Sequence, residues 1–471
     1  MSQSRIPPEL EREMTPGVRA FVEALFLRID ELTAKVDRLE RELGQRSKFD
    51  RKPPGDAAPP PPASRGKSLK KRGGQPGHQR AERELVAVEQ CREVVTCPPQ
   101  TCRGCGAKLS GEDATPLRHQ VTDIPEIKPF VIEYQRHRLT CECCGVTTCG
   151  TLPEGVPTGM TGMRLVSLAT LLMVVFRQSK RRVSLFCELA LGTKVSTGLI
   201  VKWQNAATSA TRPAYDELVS QLPREKSVNA DETPTKETNT NAWIWTAVTK
   251  KYTVFSVRLT KARCVITELL GAAFRGVVTS DRAKVYDCFP RHQWCWAHLK
   301  RDFEALAQSE HRGAQRIGNK LVKLTRELFH HWHLARDQII SRETFLKHHR
   351  QNYAAFHETF DAGTRCADRA ASSLCANLFE GFENLWHFTR ATDLSIEPTN
   401  NAAERALRHP VIWKRLSFGT QSASGSRFVE TLLSIAETCR QQGCNVLTFL
   451  HESLSNQLNN LAGPSLLPHG A

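Results

Sequence analysis

The sequence has no apolar run long enough to cross a bilayer. The longest, Leu165 to Phe176, falls well short of the roughly 20 residues that a spanning helix needs. An apolar signal core is also missing near the N-terminus, where Glu9, Glu11, Arg12 and Glu13 stand instead. A membrane partner is therefore not expected, and the expected location is cytoplasmic. Acidic residues are in short supply. The 49 Asp and Glu face 65 Lys and Arg, which leaves a net charge of +16. Such a balance favours a polyanionic partner, nucleic acid before an anionic surface. What is present is enough for real cores: 40% of the 471 residues are hydrophobic, a length that suggests about three domains. In a reducing compartment the 16 cysteines should be thiols, so paired spacings imply metal before disulfide.

Residues 17–44 are predicted to be one helix. Val18, Val22, Leu25, Ile29, Leu32, Val36, Leu39 and Leu43 recur by threes and fours, the seam of a short coiled-coil dimer. An amphipathic helix docked on its own chain is the alternative. Residues 45–83 form a Pro- and Gly-rich basic linker. Its cations, Lys70, Lys71 and Arg72 among them, can lie along phosphates and release counterions. Residues 84–150 hold Cys102-x-x-Cys105 and Cys141-x-x-Cys144, each followed at once by glycine. That is the knuckle pattern of a four-thiolate Zn²⁺ site, here with a strand expected over Phe130 to Leu139. Cys97, Cys143 and Cys149 are rival ligands.

Residues 160–210 read as a helical DNA-binding region. The apolar stretch is followed by Arg177, Lys180, Arg181 and Arg182. A helix over 183–190, a turn at Gly192 and a second helix capped by Ser196 give a helix-turn-helix outline, although any helical hairpin looks similar. From 226 to 300 the predicted order is strand, strand, strand, helix, strand, helix, strand. This implies a mixed sheet covered by helices. The first strand and the strand after the crossover then lie side by side, with Asp231 and Asp281 at their ends. Residues 300–390 read as a helical insertion in a catalytic domain over 224–420. A helix from Asn401 is expected to stop at Pro410, and C-terminal helices fill 421–460.

Three acidic motifs carry the chemistry: Asn-Ala-Asp-Glu-Thr around Asp231, Thr-Ser-Asp-Arg around Asp281 and Thr-Asn-Asn-Ala-Ala-Glu-Arg around Glu404. Cutting a phosphodiester needs a nucleophile activated and a poor leaving group stabilised. Two hard divalent ions about 3.5–4 Å apart do both, and Mg²⁺ or Mn²⁺ take carboxylate oxygens. Asp231 is the expected shared ligand, with Asp281 and Glu404 closing the two sites. Each also has an ordinary explanation. Asp231 could serve a turn, Asp281 could cap the helix after Ala283, and Glu404 could complete a capping box with Asn401 or pair with Arg408. Glu232 is a rival that points the other way on the strand, and Asp287 is the alternative to Asp281. Cys295-x-x-His298 lacks an obvious second pair and is read as structural or substrate-positioning. Arg405, Arg408, Lys414 and Arg415 either hold phosphates or form a solvated face.

Several longer strings share one resemblance: Lys71 to His78, the two Cys-x-x-Cys-Gly units, Ala230 to Thr233, Cys295 to Arg301 and Thr399 to Arg408. In that order they resemble the bacterial insertion-sequence-66 family of transposases, over roughly residues 20 to 450. The resemblance implies a multidomain layout: coiled coil, zinc-binding domain, helix-turn-helix-like region and an RNase H-like α/β catalytic core with a helical insertion. It also implies cleavage of transposon ends and joining of the freed 3′-hydroxyl to target DNA, with small accessory proteins of the same element; a homodimer or higher oligomer and a nucleoid-associated location are expected. A non-catalytic zinc-containing DNA-binding protein derived from a transposase is the alternative. A nuclease that cuts without joining uses the same residues.

Overall fold

The computed structural model describes residues 84–391 and 394–467, together with Thr15, Val18 and Arg28. Apart from Val18 and Arg28, the expected coiled-coil helix lies outside the described residues, as do the linker and its Lys70, Lys71 and Arg72. The chain divides into two compact units, Met1–Asp123 and Ile124–Ala471.

In the first unit no described residue is buried; Cys91, Cys102 and Gln120 are only partly so. Order comes from polar ties. The Gln120 amide accepts from the Val86 N–H at 2.9 Å and donates to the Val86 carbonyl at 2.7 Å. Thr101 and Lys108 form a single antiparallel bridge around the first knuckle. A segment this poor in buried apolar surface needs a cross-link or a metal to hold its shape.

The second unit begins with a hairpin, β1 (Arg138–Thr140) against β2 (Thr147–Cys149). The strand expected over 130–139 is thus only its last residues, because the apolar side chains upstream stay exposed and offer no face to pack. Three helices follow: α1 (Met163–Val174), α2 (Lys180–Leu191) and α3 (Thr197–Gln221). Gly192 ends α2 in the left-handed conformation at φ 61°, and the Ser196 hydroxyl caps α3 by accepting from the Leu199 N–H at 3.1 Å. Such a cap contributes about 1 kcal/mol. The last helix runs beyond residue 210 and through Pro213.

The sheet is built from β3 (Ser227–Glu237), β4 (Thr240–Val248), β5 (Thr253–Arg258), β6 (Val277–Ser280) and β7 (His292–Trp294), in the order β5-β4-β3-β6-β7. The first three are antiparallel neighbours, and β6 and β7 run parallel to β3. Helix α4 (Arg263–Leu270) makes the crossover. The helix expected over 283–289 is a single 3-10 turn at Lys284–Tyr286. Along β4, Ala242 and Ile244 enter one apolar cluster with α1, α2 and α3, while Trp245 and Ala247 enter another with α4. Both faces are therefore covered, as the alternation of side chains along a strand requires.

After β7 the chain leaves the sheet for α5 (Trp296–Ala307), α6 (Arg312–Arg336), α7 (Arg342–Thr364), α8 (Arg369–Glu380) and α9 (His387–Arg390). This insertion has its own aromatic core of Trp296, Phe303, Phe356, Phe360 and Trp386. Its ends close together where the Trp296 N–H donates to the Pro398 carbonyl at 3.0 Å. Then come α10 (Asn401–Ser417), α11 (Ala423–Gln442) and α12 (Val446–Leu458). Pro410 does not stop α10. Proline removes one N–H, and the helix is carried on by ties to its surroundings. His409 Nε2 lies 2.8 Å from the Val174 carbonyl, and Lys414 Nζ donates to Thr233 Oγ1 at 2.6 Å.

Candidate active site

Val228 and Ala230 point into the cluster shared with α4, so Asn229 and Asp231 face the opposite side, where α10 lies. Asp231 is not at a strand end: β3 continues to Glu237 because its pairing with β4 does. Pairing with β6 stops at Asn229–Thr279. Asp231 therefore stands two residues beyond that pair, and Asp281 directly follows β6. In open α/β sheets ligands bind at the carboxyl ends of parallel strands.

Asn400 brings the third carboxylate to this edge. It is 1% exposed. Its Nδ2 donates to the Ala230 carbonyl at 2.8 Å, and its Oδ1 accepts from Asn229 Nδ2 at 3.1 Å. Its backbone N–H donates to Cys295 Sγ at 3.1 Å. The start of α10 is thus tied to both β3 and the start of α5, and Glu404 lies one turn on. The capping box with Asn401 is not formed: the cap residue is Asn400, whose side chain is used on β3 and not on the helix. His298 Nε2 lies 3.8 Å from Glu404 Oε1, and burial, then the Arg301 charge, lower the His298 pKa.

The electrostatics follow. Burial, then the charges of Glu232, Asp281 and Glu404, push the Asp231 carboxyl up to about 8. Its Oδ1 accepts from the Glu232 N–H at 2.8 Å, which offsets this only in part. Asp281 does serve the local turn, accepting from the Ala283 N–H at 3.0 Å. Asp287 lies half exposed against His292, 3.6 Å from Nδ1. Burial lowers His292 to about 4, so that contact is not an ion pair at neutral pH. Glu232 points to the other face, as expected. There Lys261 Nζ reaches it at 2.7 Å and the buried Tyr286 hydroxyl donates to it. Neither partner was legible from local sequence.

Among the described residues, one set of three donors lies within 4.8 Å of one another: Cys295, His298 and Glu404. Asp231, Asp281 and Glu404 are spread more widely, which a pair of ions tolerates because each outer carboxylate serves one of them. Glu404 Oε1 is buried with no hydrogen-bond partner, an orphan that a cation would satisfy. The carboxylate set therefore fits hard divalent ions.

The two knuckles share one geometry. Gly106 and Gly145 sit at φ 74° and 73°, where their N–H groups donate to the Cys102 and Cys141 carbonyls at 2.9 Å. Backbone N–H groups of Cys105 and Gly104 lower the Cys102 thiol, and those of Cys144 and Cys143 lower Cys141. Lowered thiols are the form that binds metal. The first knuckle belongs to the first unit and the second to the second. Of the basic residues, Arg181, Arg182, Arg405 and Arg408 are exposed. Lys180 is half-buried and its pKa lowered by burial, and Arg177 has a nitrogen 3.4 Å from His409 Nδ1. Lys414 is drawn to β3. No helix among the described residues is long and apolar enough to cross a membrane.

A mixed, helix-covered sheet with a carboxylate-lined edge, on a basic chain with cysteine knuckles, defines the class: an α/β domain whose charge suits a polyanionic partner. Residues 159–427, more than half of the chain, match the Transposase IS66 family, and residues 99–145 match the zinc-finger binding domain of transposase IS66. The chain belongs to the Transposase IS66 family, a family of DNA-transposing enzymes, and its zinc-finger segment makes zinc a cofactor. Two proteins of Sinorhizobium fredii (strain NBRC 101917 / NGR234) are similar. Uncharacterized protein y4hP is 25% identical over 422 residues, covering 79% of this chain and 72% of that protein. Uncharacterized protein y4qI is 24% identical over 316 residues, covering 56% and 54%.

Proposed function

We propose that the protein cleaves transposon ends and joins the freed 3′-hydroxyl to target DNA, with Asp231, Asp281 and Glu404 as ligands for Mg²⁺ or Mn²⁺. The observation that carries this reading is the buried Asp231 carboxyl, pushed up to about 8 by burial and by three neighbouring carboxylates. A site that destabilises its own charge is a functional candidate. When bound, the divalent ions supply activation of the attacking hydroxyl and stabilisation of the leaving oxygen. The chain's own part is positioning. β3 and the end of β6 hold the two Asp, and Asn400 fixes α10 so that Glu404 meets them. The strand order, with the second strand antiparallel, supports an RNase H-like core interrupted by α5–α9.

Cys102, Cys105, Cys141 and Cys144 are the proposed zinc ligands, on the strength of their matched turns and of a first unit in which no described residue is buried. Arg177, Lys180, Arg181 and Arg182, around the α1–α2 turn, are proposed to contact phosphate with α2 and α3 as a helix-turn-helix. Arg408 is proposed to do so beside the carboxylates, and Lys70, Lys71 and Arg72 from the linker. A coiled-coil homodimer or higher oligomer, accessory proteins of the same element and a place at the nucleoid complete the proposal. The non-catalytic alternative is disfavoured because a binding protein would gain stability by losing the Asp231 charge. The test is strand cleavage and joining on end-bearing DNA with Mg²⁺ or Mn²⁺. Wild type should react and Asp231→Asn should not; activity retained in that variant sinks the assignment. Cleavage without joining would identify a nuclease.

A further inference from the structure

We propose that Cys295, His298 and Glu404 form a three-donor site for a thiophilic divalent cation of the zinc class, distinct from the cysteine knuckles. Cys295 and His298 flank the first turn of α5, and Glu404 comes from the first turn of α10. One ligand atom of each lies within 4.8 Å of the other two. Tetrahedral zinc, with bonds of about 2.0–2.3 Å, sets its donors roughly 3.3–3.7 Å apart. The 3.8 Å between His298 Nε2 and Glu404 Oε1 is already close to that spacing. Three protein donors leave a fourth position open, unlike a closed four-thiolate site.

The donors also sit in a fixed frame. Cys295 is 1% exposed, and burial raises its thiol pKa; the Asn400 N–H, which Sγ accepts at 3.1 Å, offsets this in part, and binding a cation would release the proton. Glu404 Oε1 is buried without a hydrogen-bond partner among the described residues, and leaving such an atom unsatisfied is costly. Thiolate and carboxylate together balance the charge of a divalent ion. A sulfur donor selects against Mg²⁺, which prefers oxygen. Occupancy would engage Glu404 and so compete with its proposed role beside Asp231. That consequence, unlike the site, rests on the proposed function.

The test counts metal in the full-length protein without DNA, so its outcome is independent of the cleavage assay. Wild type, Cys295→Ser, His298→Ala and Cys102→Ser are loaded with Zn²⁺, dialysed and measured by mass spectrometry. Cys295→Ser and His298→Ala should each bind one zinc fewer than wild type, while Cys102→Ser keeps this zinc and loses that of the knuckles. In a chain whose four knuckle cysteines are Ser, Co²⁺ should give a tetrahedral visible spectrum with a thiolate charge-transfer band, and adding Cys295→Ser should abolish it. Equal zinc in wild type and Cys295→Ser, or a Co²⁺ spectrum indifferent to Cys295, overturns the site. If circular dichroism shows Cys295→Ser unfolded, the partly exposed His298→Ala decides.

Discussion

Replacing Asp231 by Asn should stabilise the metal-free protein while it abolishes strand cleavage. An Asp titrates near 3.9 in an unfolded chain, whereas burial and three like charges raise Asp231 to about 8 in the fold. Between those values the folded state keeps a proton that the unfolded state has released. Stability from this group is therefore fully present below about pH 4 and is lost as pH rises to about 8. At about 1.36 kcal/mol per unit the ceiling is roughly 5–6 kcal/mol. Water entry and local relaxation reduce that to an expected loss of roughly 2–4 kcal/mol. Asn keeps the shape and still accepts from the Glu232 N–H, but carries no charge. For a unit of this size, 3 kcal/mol corresponds to roughly 4 °C in Tm. Thermal unfolding followed by circular dichroism in chelator, at pH 6 and pH 8, makes the comparison. The Asn variant should melt higher than wild type, and the gap should widen by up to about 2.5 kcal/mol between the two pH values. Adding Mg²⁺ at pH 8 should raise the wild type alone. An Asn variant that melts lower in chelator, or whose Tm falls with pH in parallel with wild type, would refute the reasoning.

Three other changes test the framework. Asn400→Ala removes the bond to the Ala230 carbonyl and one of the two made by Asn229 Nδ2, which keeps the Thr399 carbonyl; it should cost about 1–3 kcal/mol and slow single-turnover cleavage by more than about tenfold with DNA affinity held. An unchanged rate would remove Asn400 from the positioning of Glu404. Gly318→Ala sets a new carbon 2.2 Å from the Ala307 nitrogen and 2.5 Å from the Leu306 carbonyl carbon, both backbone, so α5 and α6 must part. A loss of about 1–3 kcal/mol in chemical denaturation is expected, and an unaltered midpoint contradicts it. Cys102→Ser should lower bound zinc and, since the first unit lacks buried described residues, make residues 84–123 sensitive to protease. Stoichiometric zinc and intact resistance would take Cys102 out of the site.

Local pattern was enough for much of the catalytic unit. The β-branched and aromatic runs in β4 and β5, the Gly192 turn and the Ser196 cap are written in neighbouring residues, and so are the order of elements and the two knuckles. Element lengths were less legible. Whether β3 stops at Asp231 or continues to Glu237 depends on a partner strand, and whether Pro410 ends a helix depends on what holds the turns beyond it. Phe130 to Leu139 has the composition of a strand but no face to cover it.

Composition and short-range spacing therefore determined a basic, metal-suited chain with three candidate carboxylates, because charge, chelate turns and periodicity are properties of adjacent residues. Only the tertiary structure decided what surrounds those carboxylates. Asp231 owes its raised pKa first to burial and then to the adjacent Glu232, with Asp281 and Glu404 adding from far along the chain, and Asn400 bonds back across 170 residues to Ala230. Glu404 closes on Cys295 and His298 because the insertion returns to where it left the sheet. Such juxtapositions arise from the ladder of a parallel pair and the closure of a helical excursion, and neither leaves a mark on the residues next to each other in sequence.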